Sequence, residues 1–448
     1  MKSTGLFFFI SGFCLLFVVN STQAQNPLIH KQFTADPTAR VFENKIYVYP
    51  SHDILWSDVG GRENWFCMQD YHVYSSENLT DWTDHGVIVS QEKVPWVDST
   101  TFSMWAPDCI YRNNKYYFYF PAIANAELVG KGMRIGVATS DKPYGPFVPE
   151  PRPIEGLMGI DPNILIDKDG QAYIYWAGMR RLNGAKLKDN MLELASEPVE
   201  LKEIPNKMKE GPFVFERNDI YYLTFPLVED STEELAYAMG DNPLGPFEFT
   251  GVIMDQSPVG CWTNHQSIVE YNGQWYLFYH HNDLSPDFDK NRSIRADSLF
   301  FNEDGTIQKV IPTLRGIGIT DATRNIQIDR YSAIGEGASI NFLDTDNKPD
   351  GWKTILDKKG AWIRYNSVDF GNKNLKSVNV RALSESGGTI EVRLNKLDGP
   401  LVASVEIPKN INWEVVNSDL EEIPSGKQNL VVVLKGSPKV EIDWVRFE

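Results

Sequence analysis

Apolar and polar residues alternate along this chain in many short runs, the period-two pattern of half-buried β-strands. Five runs have an aromatic centre: Tyr47-Val48-Tyr49, Tyr117-Phe118-Tyr119, Tyr173-Ile174-Tyr175, Tyr221-Tyr222-Leu223 and Tyr276-Leu277-Phe278. They recur at roughly 50 to 70 residues, the period of a β-propeller blade. Ile135 to Asp141 followed by Gly145-Pro146-Phe147 matches Leu235 to Asp241 followed by Gly245-Pro246-Phe247. In both, an alternating strand leads into a Gly-Pro turn and an aromatic. Tyr71 to Ser76 with Asp81-Trp82 is a weaker third copy. Each repeat predicts three or four strands. No amphipathic helical stretch separates them, which argues against a parallel α/β sheet.

From about residue 323 the rhythm changes. Trp362 to Tyr365, Ser377 to Arg381, Thr389 to Leu394, Leu430 to Leu434 and Val440 to Val445 are alternating runs with frequent turn signals, as in a β-sandwich. The expected fold is therefore all-β: a five-bladed β-propeller over residues 25–322 and a β-sandwich (jelly-roll) domain over 323–448. Thr313 to Arg324, with Gly316 and Gly318, is the expected connection.

The first 24 residues read as a secretion signal, with Lys2 as the positive start, Leu6 to Val19 as the apolar core and Thr22-Gln23-Ala24 as the small-residue cleavage pattern. Cleavage after Ala24 predicts a secreted or periplasmic protein with no membrane attachment, and Cys14 lacks the context of a lipidated cysteine. The formal charge of −17 excludes nucleic acid and anionic membrane surfaces as partners, since both would be repelled. Three cysteines remain after cleavage, Cys67, Cys109 and Cys261, too few and too scattered for a disulfide framework or a zinc site. Nothing in the chain specifies an oligomeric state.

About eleven residues before the five aromatic centres lie Asp36, Ala106, Asp161, Glu210 and His265, and equivalent positions of propeller blades converge on one axis. Glycosidic hydrolysis needs two carboxyl groups flanking the anomeric carbon, one protonated to assist the leaving oxygen and one ionised to drive the attack. A third carboxylate nearby helps separate their pKa values. Asp36, Asp161 and Glu210 supply three such groups from three blades. Singly, an Asp before Pro is a common turn residue. Their shared offset is what makes the set a candidate site.

Ala35-Asp36-Pro37, Trp105-Ala106-Pro107-Asp108, Ile160-Asp161-Pro162-Asn163, Glu210-Gly211-Pro212 and Asn264-His265-Gln266-Ser267 together resemble the motifs of family 43 glycoside hydrolases, five-bladed propellers, over residues 27 to about 312. The resemblance implies inversion of configuration, with Asp36 as general base, Glu210 as general acid and Asp161 tuning and orienting Glu210. It implies for His265 a place near the axis, contacting sugar or a cation; a hydrogen-bonded core histidine is the alternative. Arg292, in Asn291-Arg292-Ser293, resembles the family's sugar-gripping arginine, with Arg295 close enough to confuse the assignment. Trp105 and Phe66 are candidates for stacking on sugar or for plain packing. Asp108 and Asp53 are read as decoys. The segments Ser51 to Gln69 and Ser90 to Ser103 are placed to wall in the funnel.

The tail resembles a family 6 carbohydrate-binding module through Gly360-Ala361-Trp362-Ile363, Val368-Asp369-Phe370-Gly371, Gly388 to Arg393 and Ile442-Asp443-Trp444-Val445. The resemblance implies a cleft tryptophan at Trp413 and a structural calcium held by Gln327, Asp329 and Asp443. Two positions depart from the pattern: no aromatic precedes Gly360 to sandwich a sugar against Trp413, and Glu441 stands where asparagine is frequent. The implied activity is an exo-acting β-xylosidase acting on oligo- or polysaccharide from plants or algae, with no cofactor needed for the chemistry. The alternatives are an α-L-arabinofuranosidase, a bifunctional enzyme or an endo-arabinanase and, in another class, a non-catalytic carbohydrate-binding propeller. Asn78-Leu79-Thr80 and Asn291-Arg292-Ser293 are glycosylation sequons, relevant only in a eukaryotic source.

Overall fold

The structure is a computed structural model that describes residues 25–448 apart from 180, 203–209, 230–231, 259 and 437. The signal sequence inferred for residues 1–24 lies outside the described residues.

Five antiparallel sheets follow one another along the chain, each with strands in chain order. Their innermost strands are Phe33–Phe42, Asp108–Arg112, Ile160–Ile166, Phe213–Arg217 and Ser267–Tyr271. Four blades have four strands and the fifth has three. The chain start completes the fifth: Leu28 N–H donates to Ile294 O at 2.8 Å and Thr34 N–H to Arg292 O at 2.9 Å. Two four-residue turns, Trp56–Val59 and Ala126–Val129, are the α-helices among the described residues. The five-bladed propeller inferred from the aromatic repeat is thus the observed architecture.

The repeat has a physical cause. The second strand of each blade is buried between two sheets, so alternate side chains face different neighbours. One tyrosine from each of four centres reaches across to an outer turn of the next blade. Tyr49 Oη donates to Pro143 O (2.5 Å), Tyr119 Oη to Met191 O (2.7 Å), Tyr175 Oη to Pro243 O (2.8 Å) and Tyr222 Oη to Gly305 O (2.7 Å). A large apolar ring with one polar tip fits this demand: the ring fills the gap between sheets and the hydroxyl is satisfied at its far side. Two of the acceptors precede the Gly-Pro turns. Gly145 and Gly245 sit at φ +81° and +79°, where a Cβ would meet the backbone N of Phe147 at 3.0 Å or that of Phe247 at 3.1 Å.

Around the axis the inner strands are stitched into a ring. Thr38 Oγ1 donates to Pro107 O (2.7 Å), Asn163 Nδ2 to Asp108 Oδ2 (3.1 Å), and Val214 N–H to Asn163 Oδ1 (2.8 Å). Gln266 Nε2 then donates to Gly211 O (2.8 Å) and Ser267 Oγ to Pro37 O (2.7 Å), which closes the circuit. Asp108, fully buried, is the strongest link: it accepts from Arg40 of blade 1 and from Ile164 N–H of blade 3. Asp108 lies deeper than the axial pocket and holds three blades together.

The sandwich packs two sheets over an apolar core that includes Ile363, Tyr365, Val380, Ile390, Val432, Ile442 and Val445. Each alternating run read from the sequence is part of a strand here. The short strand Thr320–Asp321 already pairs with Trp362–Asp369 of the sandwich. Arg315 Nε donates to Asn366 O at 2.8 Å and Gln25 Nε2 to Tyr365 Oη at 3.2 Å, so polar contacts tie the two domains.

Replacing Asp108 by Ala removes the partner of the Arg40 guanidinium and of three further donors, Asn163 Nδ2 and the backbone N–H groups of Ile164 and Cys109. The expected loss is about 3–5 kcal/mol in a denaturant titration, the range for breaking a buried ion pair. A change below about 0.5 kcal/mol, the ordinary range for surface sites, would show that the ring is not a stability element.

Candidate active site

Asp36 and Asp161 each precede a proline and adopt left-handed backbone conformations, φ 49° and 57°. Such angles are uncommon outside glycine and cluster at functional sites. In blade 4 the same place before the proline belongs to Gly211, at φ 67°. A Cβ there would strike Pro226 Cδ at 2.5 Å. Glu210 therefore stands one residue before the common position, which corrects the shared offset read from the sequence. The ring bonds agree: the backbone N–H three residues beyond each of Asp36, Asp161 and Gly211 donates to a side chain of the neighbouring blade, Ala39 to Ser267, Ile164 to Asp108 and Val214 to Asn163.

The three carboxylates nevertheless line one axial cavity of about 250 Å³, together with His265 and Arg292. Trp65, Phe66, Trp105 and Trp262 form its apolar walls, with Met68 and Ile160. The segment before Gln69 supplies Trp65, Phe66 and Met68, and the one before Met104 braces it, since Met68 N–H donates to Phe102 O at 2.8 Å.

Arg292 is the electrostatic centre. Its guanidinium donates to Asp36 Oδ1 at 2.8 Å and Oδ2 at 3.2 Å. Its Nε and Nη2 donate to Asp53 at 2.9 Å each, and its backbone N–H to Asp53 at 2.8 Å. Asp53 is thus no decoy: it fixes the arginine that grips Asp36. Arg295 is buried elsewhere, paired with Asp283 at 2.9 Å, so Arg292 is the arginine of the pocket.

Burial alone would raise the Asp36 pKa. Arg292, His280, His265 and the hydroxyl of Ser51 outweigh it and hold the carboxyl down at about 2. Glu210 has the opposite fate. Burial, reinforced by the charge of Asp36, raises it to about 7 against the pull of Arg292. Asp161 is pushed well above the usual carboxylate range by burial and then by Glu210, while the Gly211 N–H bond, 2.9 Å to Oδ2, opposes this. One carboxyl is stably ionised, and a second holds its proton near neutral pH.

A fourth carboxyl escaped the sequence reading. Glu233 is buried behind the pocket and accepts from Asn264 N–H at 2.7 Å, steadying the turn that carries His265. Burial and then Glu210 raise its pKa strongly. Trp65 and Trp262 were also missed, because they lie in loops outside the repeat.

Phe66 does not offer a free face for sugar: the Arg292 guanidinium lies 4.9 Å from its ring centre and Trp262 stacks at 6.2 Å. It props the arginine instead. Trp105 stays half-buried on the wall. His265 reaches the pocket with its pKa lowered, chiefly by burial, against the opposing charge of Asp36. No group of three His, Cys, Asp or Glu ligand atoms gathers around it among the described residues.

The calcium expectation in the sandwich fails on charge. Asp329 is paired with Arg330 at 3.0 Å and Asp443 with Arg381. Gln327, with its amide turned to donate, gives hydrogen bonds to Asp443 O at 2.8 Å and Oδ1 at 3.2 Å. Both carboxylates are already neutralised by guanidinium groups and Gln327 presents N–H rather than oxygen, so these residues do not fit a calcium ion. Trp413 lies half-buried on the edge strand Asn410–Asp419, with the Arg381 guanidinium 5.2 Å from its ring. Asn291 is buried, which closes its sequon to glycosylation.

The carboxyl assignment can be read by ¹³C NMR on glutamate-labelled protein. One resonance, missing from Glu210→Gln, should titrate near pH 7. In Asp36→Asn it should titrate at lower pH, because a neighbouring negative charge is gone and Arg292 remains. An unchanged midpoint in that variant would remove Asp36 as a cause.

Known proteins resemble this chain in sequence and in fold. The chain is 37% identical to xylosidase/arabinosidase 43A of Humicola insolens, over 63% of this chain and 98% of that protein. An arabinoxylan arabinofuranohydrolase of Paenibacillus polymyxa is 25% identical over 92% of this chain and 72% of its own length. Among solved structures, a family 43 β-xylosidase/α-arabinofuranosidase from a compost metagenome, in complex with xylotriose and in a calcium-free form, superposes with a TM-score of 0.59 at 37% identity, covering 64% of this chain and 98% of that one. The model of the family 6 carbohydrate-binding modules matches residues 335–448, and that of the glycosyl hydrolases family 43 matches 24–307, more than half of the sequence. The chain is an O-glycoside hydrolase that belongs to glycosyl hydrolases family 43 and carries a C-terminal family 6 carbohydrate-binding module.

Proposed function

We propose that this protein is a secreted or periplasmic, inverting, exo-acting β-xylosidase that also accepts α-L-arabinofuranosides. The observation that carries the reading is the split between Asp36, held ionised by Arg292, and Glu210, held protonated near pH 7. In this reading Asp36 takes a proton from water as the water attacks the anomeric carbon. Glu210 gives its proton to the departing glycosidic oxygen. Asp161, hydrogen-bonded to Gly211 N–H, orients the loop that carries Glu210.

Exo action is supported by size. A cavity of about 250 Å³ falls just below the ~300–1,000 Å³ of sites for drug-sized ligands. It suits a terminal pentose better than the middle of a chain. The named activities of the family relatives support the pentose. The arabinofuranosidase reading has its own support, since the arabinofuranohydrolase relative aligns across both domains. Plant or algal xylan fragments are the expected source of substrate.

Both nitrophenyl β-D-xylopyranoside and nitrophenyl α-L-arabinofuranoside should be cleaved, the xyloside faster. Proton NMR should show the inverted anomer appearing first. Turnover should fall as pH rises through about 7, because Glu210 then loses the proton it must donate. It should fall again only as pH approaches about 2, where Asp36 gains one. On xylobiose, Glu210→Gln and Asp36→Asn should each lose about 10²–10⁴-fold in kcat, the usual contribution of one acid or base. On the nitrophenyl xyloside Glu210→Gln should recover most of that loss and Asp36→Asn none, since a good leaving group relieves only the need for acid. Near-normal turnover of Asp36→Asn on that substrate would end the base assignment, and a retained anomer would end the inverting mechanism.

A further inference from the structure

Outside the funnel, blade 1 gathers a second set of chemical groups. His52 lies on the strand Lys45–Asp53, and Asp70 and His72 on its neighbour Asp70–Ser76. The pairing Ser51↔Tyr71 sets His52 opposite Asp70. His72, two residues along from Asp70, faces the same side. One ligand atom from each of the three lies within 4.8 Å of the others. All three side chains are partly accessible, at 21%, 10% and 14% for His52, Asp70 and His72. His52 borders a surface hollow of about 680 Å³.

We propose that His52, Asp70 and His72 bind a divalent transition metal of the zinc class. Two imidazoles among three protein donors select such ions over calcium or magnesium, which prefer oxygen. A carboxylate and two imidazoles are a familiar zinc donor set that leaves a fourth position for water. The second observation concerns orientation. His72 Nδ1 lies 3.0 Å from Asp84 Oδ1, and Asp84 is itself fixed by Gly86 N–H at 2.7 Å. A carboxylate only accepts, so it holds the proton on Nδ1 and leaves Nε2 with the lone pair that a metal needs. Tetrahedral zinc places its ligands about 3.3 Å apart. His52 Nδ1 and Asp70 Oδ1 already lie 2.7 Å apart, so it is chiefly the third ligand atom that must draw in, by up to about 1.5 Å, which these partly accessible side chains achieve by small rotations. His52 is flanked by Ser51 and Asp53, which turn the other way and hold Asp36 and Arg292. The metal thus sits on the back of the strand that frames the pocket.

The test is isothermal titration of ZnCl₂ into the full chain, with any affinity tag removed and the protein stripped by EDTA and dialysed. The expected result is one zinc per chain and a melting temperature raised by about 2 °C or more at saturation. CaCl₂ should give neither. His72→Gln and His52→Gln should bind at least about 100-fold more weakly and Asp84→Asn about 10-fold more weakly, the order expected for ligands and for a supporting partner. Metal-free melts of the variants that match wild type show that the fold is intact. Absence of stoichiometric zinc binding, or binding by His72→Gln as tight as wild type, overturns the proposal. Should His72→Gln fail to fold, His52→Gln and Asp84→Asn decide on the same criteria.

Discussion

One buried guanidinium decides the chemistry at the axis. Arg292 lies between two aspartates, and it is nearest in effect to Asp36. Carboxylates crowded into a dry cavity all tend to keep their protons, because ionisation there costs solvation. A single cation can cancel that cost for one of them. Asp36 receives that benefit and stays ionised, and its charge then helps Glu210 to remain protonated. Asp53 keeps the arginine from drifting toward Glu210. An unpaired ion at this depth would be strongly destabilising, so the pairing serves the fold and the reaction together.

The propeller makes this possible by bringing distant residues to one point around its axis. Its inner ring of hydrogen bonds fixes the strand starts, and the catalytic candidates project from those starts. The left-handed backbone at Asp36 and Asp161 turns their side chains into the cavity. Such conformations persist only where surrounding structure over-determines them. Here the ring bonds of Thr38 and Asn163, two residues further along, supply that constraint.

The sandwich pairs several of its acidic side chains internally. Arginine side chains neutralise the acidic residues where a cation was expected, and one of them covers Trp413. Glu441 is likewise engaged by Lys353 at 2.8 Å. These charges are paired within the domain, and polar contacts bind it to the propeller.

Much of the fold was legible because its causes are local and repeated. Each aromatic centre answers the same demand, a ring between sheets with a hydroxyl reaching the next blade, so Tyr49, Tyr119, Tyr175 and Tyr222 recur in register. Asp36, Asp161 and Glu210 could be singled out for the same reason, as acidic residues at a repeating place before such centres. What the repeat did not reveal belongs to contacts between residues far apart in the chain. Asp53 looked idle until Arg292, from another blade, was placed against it. Glu233, Trp65 and Trp262 carry no periodic signature, since their positions follow from how loops fold over the axis. Glu210 fell one place out of step because only the backbone shows that Gly211 occupies the crowded position before the proline. The sequence by itself determined the strands, the blades and the identity of the acids. Only the tertiary structure decided which acid is ionised, because a pKa depends on burial and on neighbours that the linear order does not bring together.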